Sequence, residues 1–209
     1  MRLRQSRSEV SKITDKDLTL KDLSPPVIFL ASLVTVLLGV IYADLQVKDE
    51  EKLRLNEILD RFIPRESDVR QLTHLMIKGV KQREIYTDSA QWQVLISPLS
   101  DVERLLLIGL GYEMSAADGH IEIHEQEYLE QVANFLNIES RYLHVFAMSF
   151  GDRGNIDLTA LNEVRYLLDP ARFHQLEPVF CERGKSIVKG SPITTRYLFD
   201  LTRGFTISV

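Results

Sequence analysis

Apolar and polar positions along the chain alternate with a helical period. Residues 49–63 place Leu53, Leu55, Ile58, Leu59 and Phe62 on one stripe, with Asp49 as an N-cap and Glu50 and Glu51 in the first turn. Residues 123–137 repeat the pattern with Ile123, Tyr128, Leu129, Val132, Phe135 and Leu136. The stretches 66–84 and 139–150 read as the helices that follow, with Ser67 and Ser140 near their starts. Farther on, Leu158, Leu161, Val164, Leu167 and Leu168 form a stripe that Pro170 ends, capped by Asp157 or Thr159. Phe173, Leu176, Val179 and Phe180 suggest a short further helix. Gly190-Ser191-Pro192 then breaks the chain before Tyr197, Leu198, Phe199 and Leu201, an aromatic-rich tail that would dock on the body or on a partner. No run alternates with period two between hairpin turns, so the fold class is all-α.

One segment is apolar on every side. Val27 to Ala43 carries no charge, follows Pro25-Pro26 and stops at Asp44. As a helix it would be about 25 Å long, at the lower edge of a bilayer span. Arg2, Arg4 and Arg7 upstream suit the cytoplasmic flank of a signal-anchor. The other reading is a central core helix wrapped by neighbours, and Ser32, Thr35 and Gly39 would permit close contacts there.

An internal repeat bears on this choice. Shifted by 74 residues, Asp44 falls on Asp118, Val47 on Ile121, Glu51 on Glu125 and Leu55 on Leu129. Ile58 likewise falls on Val132, Phe62 on Leu136 and Leu72 on Phe146. Each half reads as an apolar helix, Ala-Asp, a turn, a β-branched residue, an acidic helix start and a further helix. The counterpart of 27–43 is 99–117, which carries Asp101, Glu103, Arg104 and Glu113 and so is no membrane span. The repeat therefore favours a buried core helix for the first copy.

Composition narrows the class. The 209 residues, 44% apolar and 26% charged with ten Gly and seven Pro, are those of a globular protein with a sizeable core. The net charge of −5 is uneven: residues 1–26 carry six Lys/Arg against four acids, and residues 181–209 five against two, leaving about −10 for 27–180. An acidic body with mildly basic ends lacks the concentrated basic face a nucleic-acid binder needs. Cys181 is the lone cysteine, which excludes an intrachain disulfide and favours a reducing compartment.

The turn Asp118-Gly119-His120-Ile121-Glu122-Ile123-His124-Glu125 is the sharpest local signal. Gly119 can end one helix in the left-handed conformation, Ile121 can dip back into the core, and Glu125 could approach Asp118 across the turn. The spacing resembles the second half of an EF-hand loop, but Met114 and Ala116 stand where side-chain oxygen ligands are required, which rules that loop out. What remains is one carboxylate pair per half, Asp44 with Glu51 and Asp118 with Glu125. Convergence of the four would offer a hard cation an oxygen site. The plainer alternative, better supported by the residues alone, has each Asp satisfying backbone amides at a helix junction and each Glu complementing a helix dipole. His120 and His124 would share a zinc ion only on one continuous helix, and Gly119 places His120 in the turn. The chain has no glycine-rich phosphate loop, Gly-x-Ser-x-Gly elbow, His-Glu-x-x-His or Cys-x-x-Cys, so nothing in it asks for an enzyme.

The stretch LIGLGYEMSAADGHIEIHEQEYLEQVANFLNI resembles the signature of TerB-like tellurite-resistance proteins, and GVIYADLQVKDEEKLRLNEIL resembles its partner copy. The resemblance implies an all-helical bundle of two pseudo-symmetric halves that is not an enzyme. It also implies a divalent-cation site, for calcium, magnesium or manganese, at Asp44, Glu51, Asp118 and Glu125. It further implies a role in tellurite resistance and stress response through protein partners, in the cytoplasm at the inner face of the membrane. Leu45 stands where the second copy has Gly119, so any ion site is expected to lean on the second half.

The organisation expected is a basic N-terminal segment 1–26, a helical domain 27–150 with halves 27–84 and 99–150, and a partly helical C-terminal extension 151–209. Two rival functions remain: a signal-anchored protein whose soluble domain starts near Asp44, and a metal-dependent hydrolase using the same carboxylates.

Overall fold

The computed structural model describes residues 2–19, 24–44, 46–63, 68–150 and 155–168. Among them every regular element is helical. In chain order these are α1 (Arg2–Thr14), α2 (Pro25–Tyr42), α3 (Asp49–Phe62), α4 (Asp68–Arg83), a single 3₁₀ turn (Ile85–Thr87), α5 (Ser89–Ile96), α6 (Asp101–Ser115), α7 (Ile123–Leu136), α8 (Ser140–Phe150) and α9 (Leu158–Leu167).

The apolar run is the centre of the bundle. Pro25 and Pro26 open α2, where their missing N–H groups cost nothing, and Val27 N–H and Ile28 N–H donate back to the Ser24 carbonyl. From Pro26 to Ile41 every residue is buried, because α1, α4, α5, α6, α7 and the 3₁₀ turn all pack on this helix. It is long and apolar enough to cross a membrane, yet 89% of it is buried inside the protein. Its buried hydroxyls are satisfied within the helix: Ser32 Oγ donates to Ile28 O at 3.0 Å and Thr35 Oγ1 to Ala31 O at 2.8 Å.

The partner helix α6 starts at Ser100, whose Oγ accepts from Glu103 N–H at 3.3 Å while Glu103 Oε2 accepts from Ser100 N–H at 2.7 Å. The repeat register is visible in the element bounds, since Asp49–Phe62 shifted by 74 residues is Ile123–Leu136. α7 closes on Asn137 in the left-handed conformation, with Ile138 N–H returning to Ala133 O.

Two elements are absent from the sequence reading. Helix α1 occupies part of the segment 1–26, read only as basic, and packs on α4, α5 and α2. The short α5 buries Trp92, Leu95 and Ile96 in the connection between the halves. The N-cap of α3 is Lys48 rather than Asp49, which is the first helical residue. Asp157 does cap α9, accepting from Thr159 N–H at 2.8 Å. Helix α9 docks on α8 through buried Ala160, Leu161 and Val164 and a polar clasp of Tyr142 Oη to Glu163 Oε2 at 2.7 Å and Arg141 to Glu163 at 2.6 Å. Cys181, the helix expected at Phe173–Phe180 and the aromatic tail lie outside the described residues, as does Leu45.

Candidate functional site

The two turns are built alike. In the first, Asp44 Oδ1 accepts from Gln46 N–H at 2.9 Å; in the second, Asp118 Oδ1 accepts from His120 N–H at 3.0 Å. At the start of α3, Glu51 Oε2 accepts from Lys48 N–H at 2.7 Å, and at the start of α7 Glu125 Oε2 accepts from Glu122 N–H at 3.0 Å. Each Asp therefore closes its own turn, and each Glu reaches back to the N-cap amide of its helix, the glutamate half of a capping box. Gly119 takes the positive φ of 92° expected of it. Ile121 packs against the core, whereas its counterpart Val47 is exposed.

The capping glutamates are buried, Glu51 being 3% and Glu125 2% exposed. Their Oε1 atoms make no hydrogen bond among the described residues. Burial pushes the Glu125 carboxyl up to about 8, helped by the nearby charges of Glu51 and Asp44 and opposed by the Glu122 N–H and Lys48. Burial raises Glu51 as well, with Asp44 and Asp118 adding to it. Electrostatic coupling runs within the first turn and between the turns: Glu51 feels Asp44 and then Asp118, and Glu125 feels Glu51 and Asp44. The expected approach of Glu125 to Asp118 is replaced by these cross-turn encounters and by a residue the sequence reading passed over.

That residue is Lys48. Its Nζ lies 2.7 Å from Asp118 Oδ2 and 3.4 Å from Glu122 Oε1, its own counterpart in the repeat. The ammonium holds Asp118 below the usual carboxylate range, and Asp118 in turn raises Lys48. The signal was present in the 74-residue register, which sets a Lys opposite a Glu at matching helix starts. Beside this centre, Arg61 grips Glu113 with two bonds of 2.8 and 2.5 Å, tying α3 to α6.

The acidic side chains of the two turns offer only hard carboxylate oxygens, and the Lys48 ammonium acts on Glu51, Asp118, Glu122 and Glu125. As arranged, no three His, Cys, Asp or Glu among the described residues are gathered closely enough to hold an ion. His120 lies in the turn and His124 on α7, both exposed.

The family model described as Tellurite resistance protein TerB matches residues 30–146, more than half of the chain. The chain belongs to the TerB family. The TerB match runs from within α2 to within α8 and so contains both acidic turns, while α1 and α9 lie outside it. Among curated proteins and solved structures none matches the chain.

Proposed function

We propose that this TerB-family chain is a non-catalytic interaction module of tellurite resistance and stress response, whose paired acidic turns take a divalent cation. Asp44, Glu51, Asp118 and Glu125 supply the oxygens, and calcium, magnesium or manganese is the ion. The observation carrying this reading is a pair of buried capping glutamates, both shifted toward protonation and each sensing charges of the other turn, beside one ammonium that acts on four carboxylates. A bound cation would offset the burial cost that shifts both carboxyls toward protonation and would displace their protons. An ion bound there would join the α2–α3 and α6–α7 turns and fix the surface they offer to a protein partner, at the cytoplasmic face of the membrane.

The test is thermal unfolding with each ion. Binding to the native state alone raises Tm, by an amount that grows with the logarithm of ion concentration. Asp118→Asn should reduce the shift. No shift with calcium, magnesium or manganese rejects the cation and leaves a scaffold.

A further inference from the structure

Helix α7 turns Leu129, Val132, Ala133 and Leu136 inward, and α2, α6 and α8 pack on it. Its outer face joins apolar and acidic groups. Ile123 is 67% and Phe135 43% exposed, and Glu127 and Glu130 stand exposed between them. Ile123–Leu136 contains no Lys or Arg. Glu127 has His124 at 3.6 Å and Glu130 accepts from Gln126 at 2.9 Å, so neither carboxylate meets a lysine or arginine among the described residues. The repeat counterpart α3 differs: Lys52 pairs with Asp49 at 2.7 Å and Arg54 with Glu57 at 3.1 Å, so acids there are answered within the helix.

The described chain ends beside this face. His144 Nε2 lies 3.3 Å from Asn155 O, and Tyr142 Oη donates to Glu163 Oε2 at 2.7 Å. Helix α9 therefore runs antiparallel to α8 and brings Leu168 back toward the α7–α8 junction, the end of α7 where Phe135 lies. From Arg183 to Arg203 the sequence then carries five Lys/Arg against one acid, together with Tyr197, Leu198 and Phe199. The connecting residues 169–182 can span up to about 46 Å when extended, against about 18 Å from Phe135 to Ile123 along the helix. We propose that residues 183–203 of this chain dock on the outer face of α7, their cations meeting Glu127 and Glu130 and their aromatic side chains covering Ile123 and Phe135. Charge selects the place: α7 offers bare carboxylates, whereas the exposed face of α1 carries Arg4, Arg7 and Lys12 and repels a basic segment. The docking is independent of cation binding at the turns. A partner that reads this face must first displace the segment.

Cys181, the lone cysteine, stands two residues before Arg183, so a nitroxide can be attached beside the segment without further substitution. The experiment records paramagnetic broadening of backbone amides in the full chain labelled at Cys181. Amides of α7 should broaden well beyond those of α1 and α4, and Glu127→Gln with Glu130→Gln should reduce the effect. A second sample mixes spin-labelled chain with isotope-labelled Cys181→Ser chain, and α7 of the latter should stay sharp. Broadening that spares α7 or spreads evenly overturns the proposal. Broadening confined to the mixed sample also overturns it, because a second copy then occupies the face. Tryptic cleavage within 183–203 gives a reading free of the label. An exposed ion pair contributes about 1.5- to fivefold, so neutralising both glutamates should speed cleavage by about 2- to 25-fold. Equal rates in wild type and the double variant overturn the docking. Circular dichroism and urea midpoints, expected to stay close to wild type because both glutamates are exposed, confirm that folded proteins are compared.

Discussion

Replacing Gly79 with alanine measures how firmly α1 belongs to the domain. Gly79 is buried on α4, and a Cβ placed there would sit 1.6 Å from the Ile13 carbonyl oxygen and 2.6 Å from its carbonyl carbon. The obstacle is backbone, so no rotamer relieves it. Contacts under 3.0 Å are essentially never made by a real Cβ, so α1 must retreat by at least about 1.4 Å. Val10 and Ile13 on α1 are 0% and 2% exposed, and their burial contributes about 3–6 kcal/mol together. A gap of about 1 Å already forfeits about half of the contact energy, so the retreat costs about 1.5–3 kcal/mol. Alanine offsets up to about 1 kcal/mol of that through its better helix propensity. The net expectation is a loss of about 0.5–3 kcal/mol, read as a lower urea midpoint at unchanged slope. Amide hydrogen exchange should accelerate in α1 before it does in α2. A Gly79→Ala protein as stable as wild type, or more stable, would refute the close crossing of α1 over α4.

Three further expectations follow from the same contacts. The raised Glu125 carboxyl contributes stability that is fully present below its ordinary range and lost as pH rises through about 8, because the folded state holds the proton longer. Glu125→Gln, which keeps an acceptor for Glu122 N–H, should gain little at pH 5 and progressively more at pH 7 and 9; a pH-independent difference in urea midpoint would refute the assignment. Gly119→Ala meets nothing within 4 Å but must hold φ at 92°, so it should cost about 1–2 kcal/mol by backbone strain alone in thermal melts. Tyr142→Phe removes the bond to Glu163 and should loosen α9 by about 0.5–1.5 kcal/mol, seen as faster limited proteolysis beyond Phe150 with the rest of the fold intact.

The long helices were legible because their buried faces are made of apolar residues at helical spacing. The 74-residue register carried more information than any single stripe. It separated α2 from a membrane span and matched the ends of α3 and α7. Helix α1 escaped the same reading because its inward face includes Ser6, Glu9 and Thr14, polar residues that apolar counting assigns to solvent. Ser6 is buried because its Oγ donates to Val94 O at 2.9 Å, a partner 88 residues away that no local pattern reveals. The acidic pairs were legible as residues but not as geometry. Asp and Glu seven apart suggested a pair within each turn; Asp44 does act on Glu51, but Glu125 couples to the first turn instead of Asp118, and each acid also closes a local amide. Lys48 was hidden for a related reason: in a linear sequence its neighbours are Asp49 and Glu50, and only the tertiary fold brings it to Asp118.

The burial of α2 also sets a timetable for synthesis. This helix leaves the ribosome before most of its cover, since α7, one of the helices that pack on it, ends 94 residues beyond Tyr42. At about 5–20 residues per second the nascent chain carries an uncovered, membrane-grade apolar segment for about 5–20 s. During that interval α1, α4 and α5 can shelter it first and α6 follows, so early docking of α1 and α4 against α2 has a protective role that the finished fold conceals. The chain must rely on swift local helix pairing or on a chaperone to keep its future core from being handled as a membrane anchor.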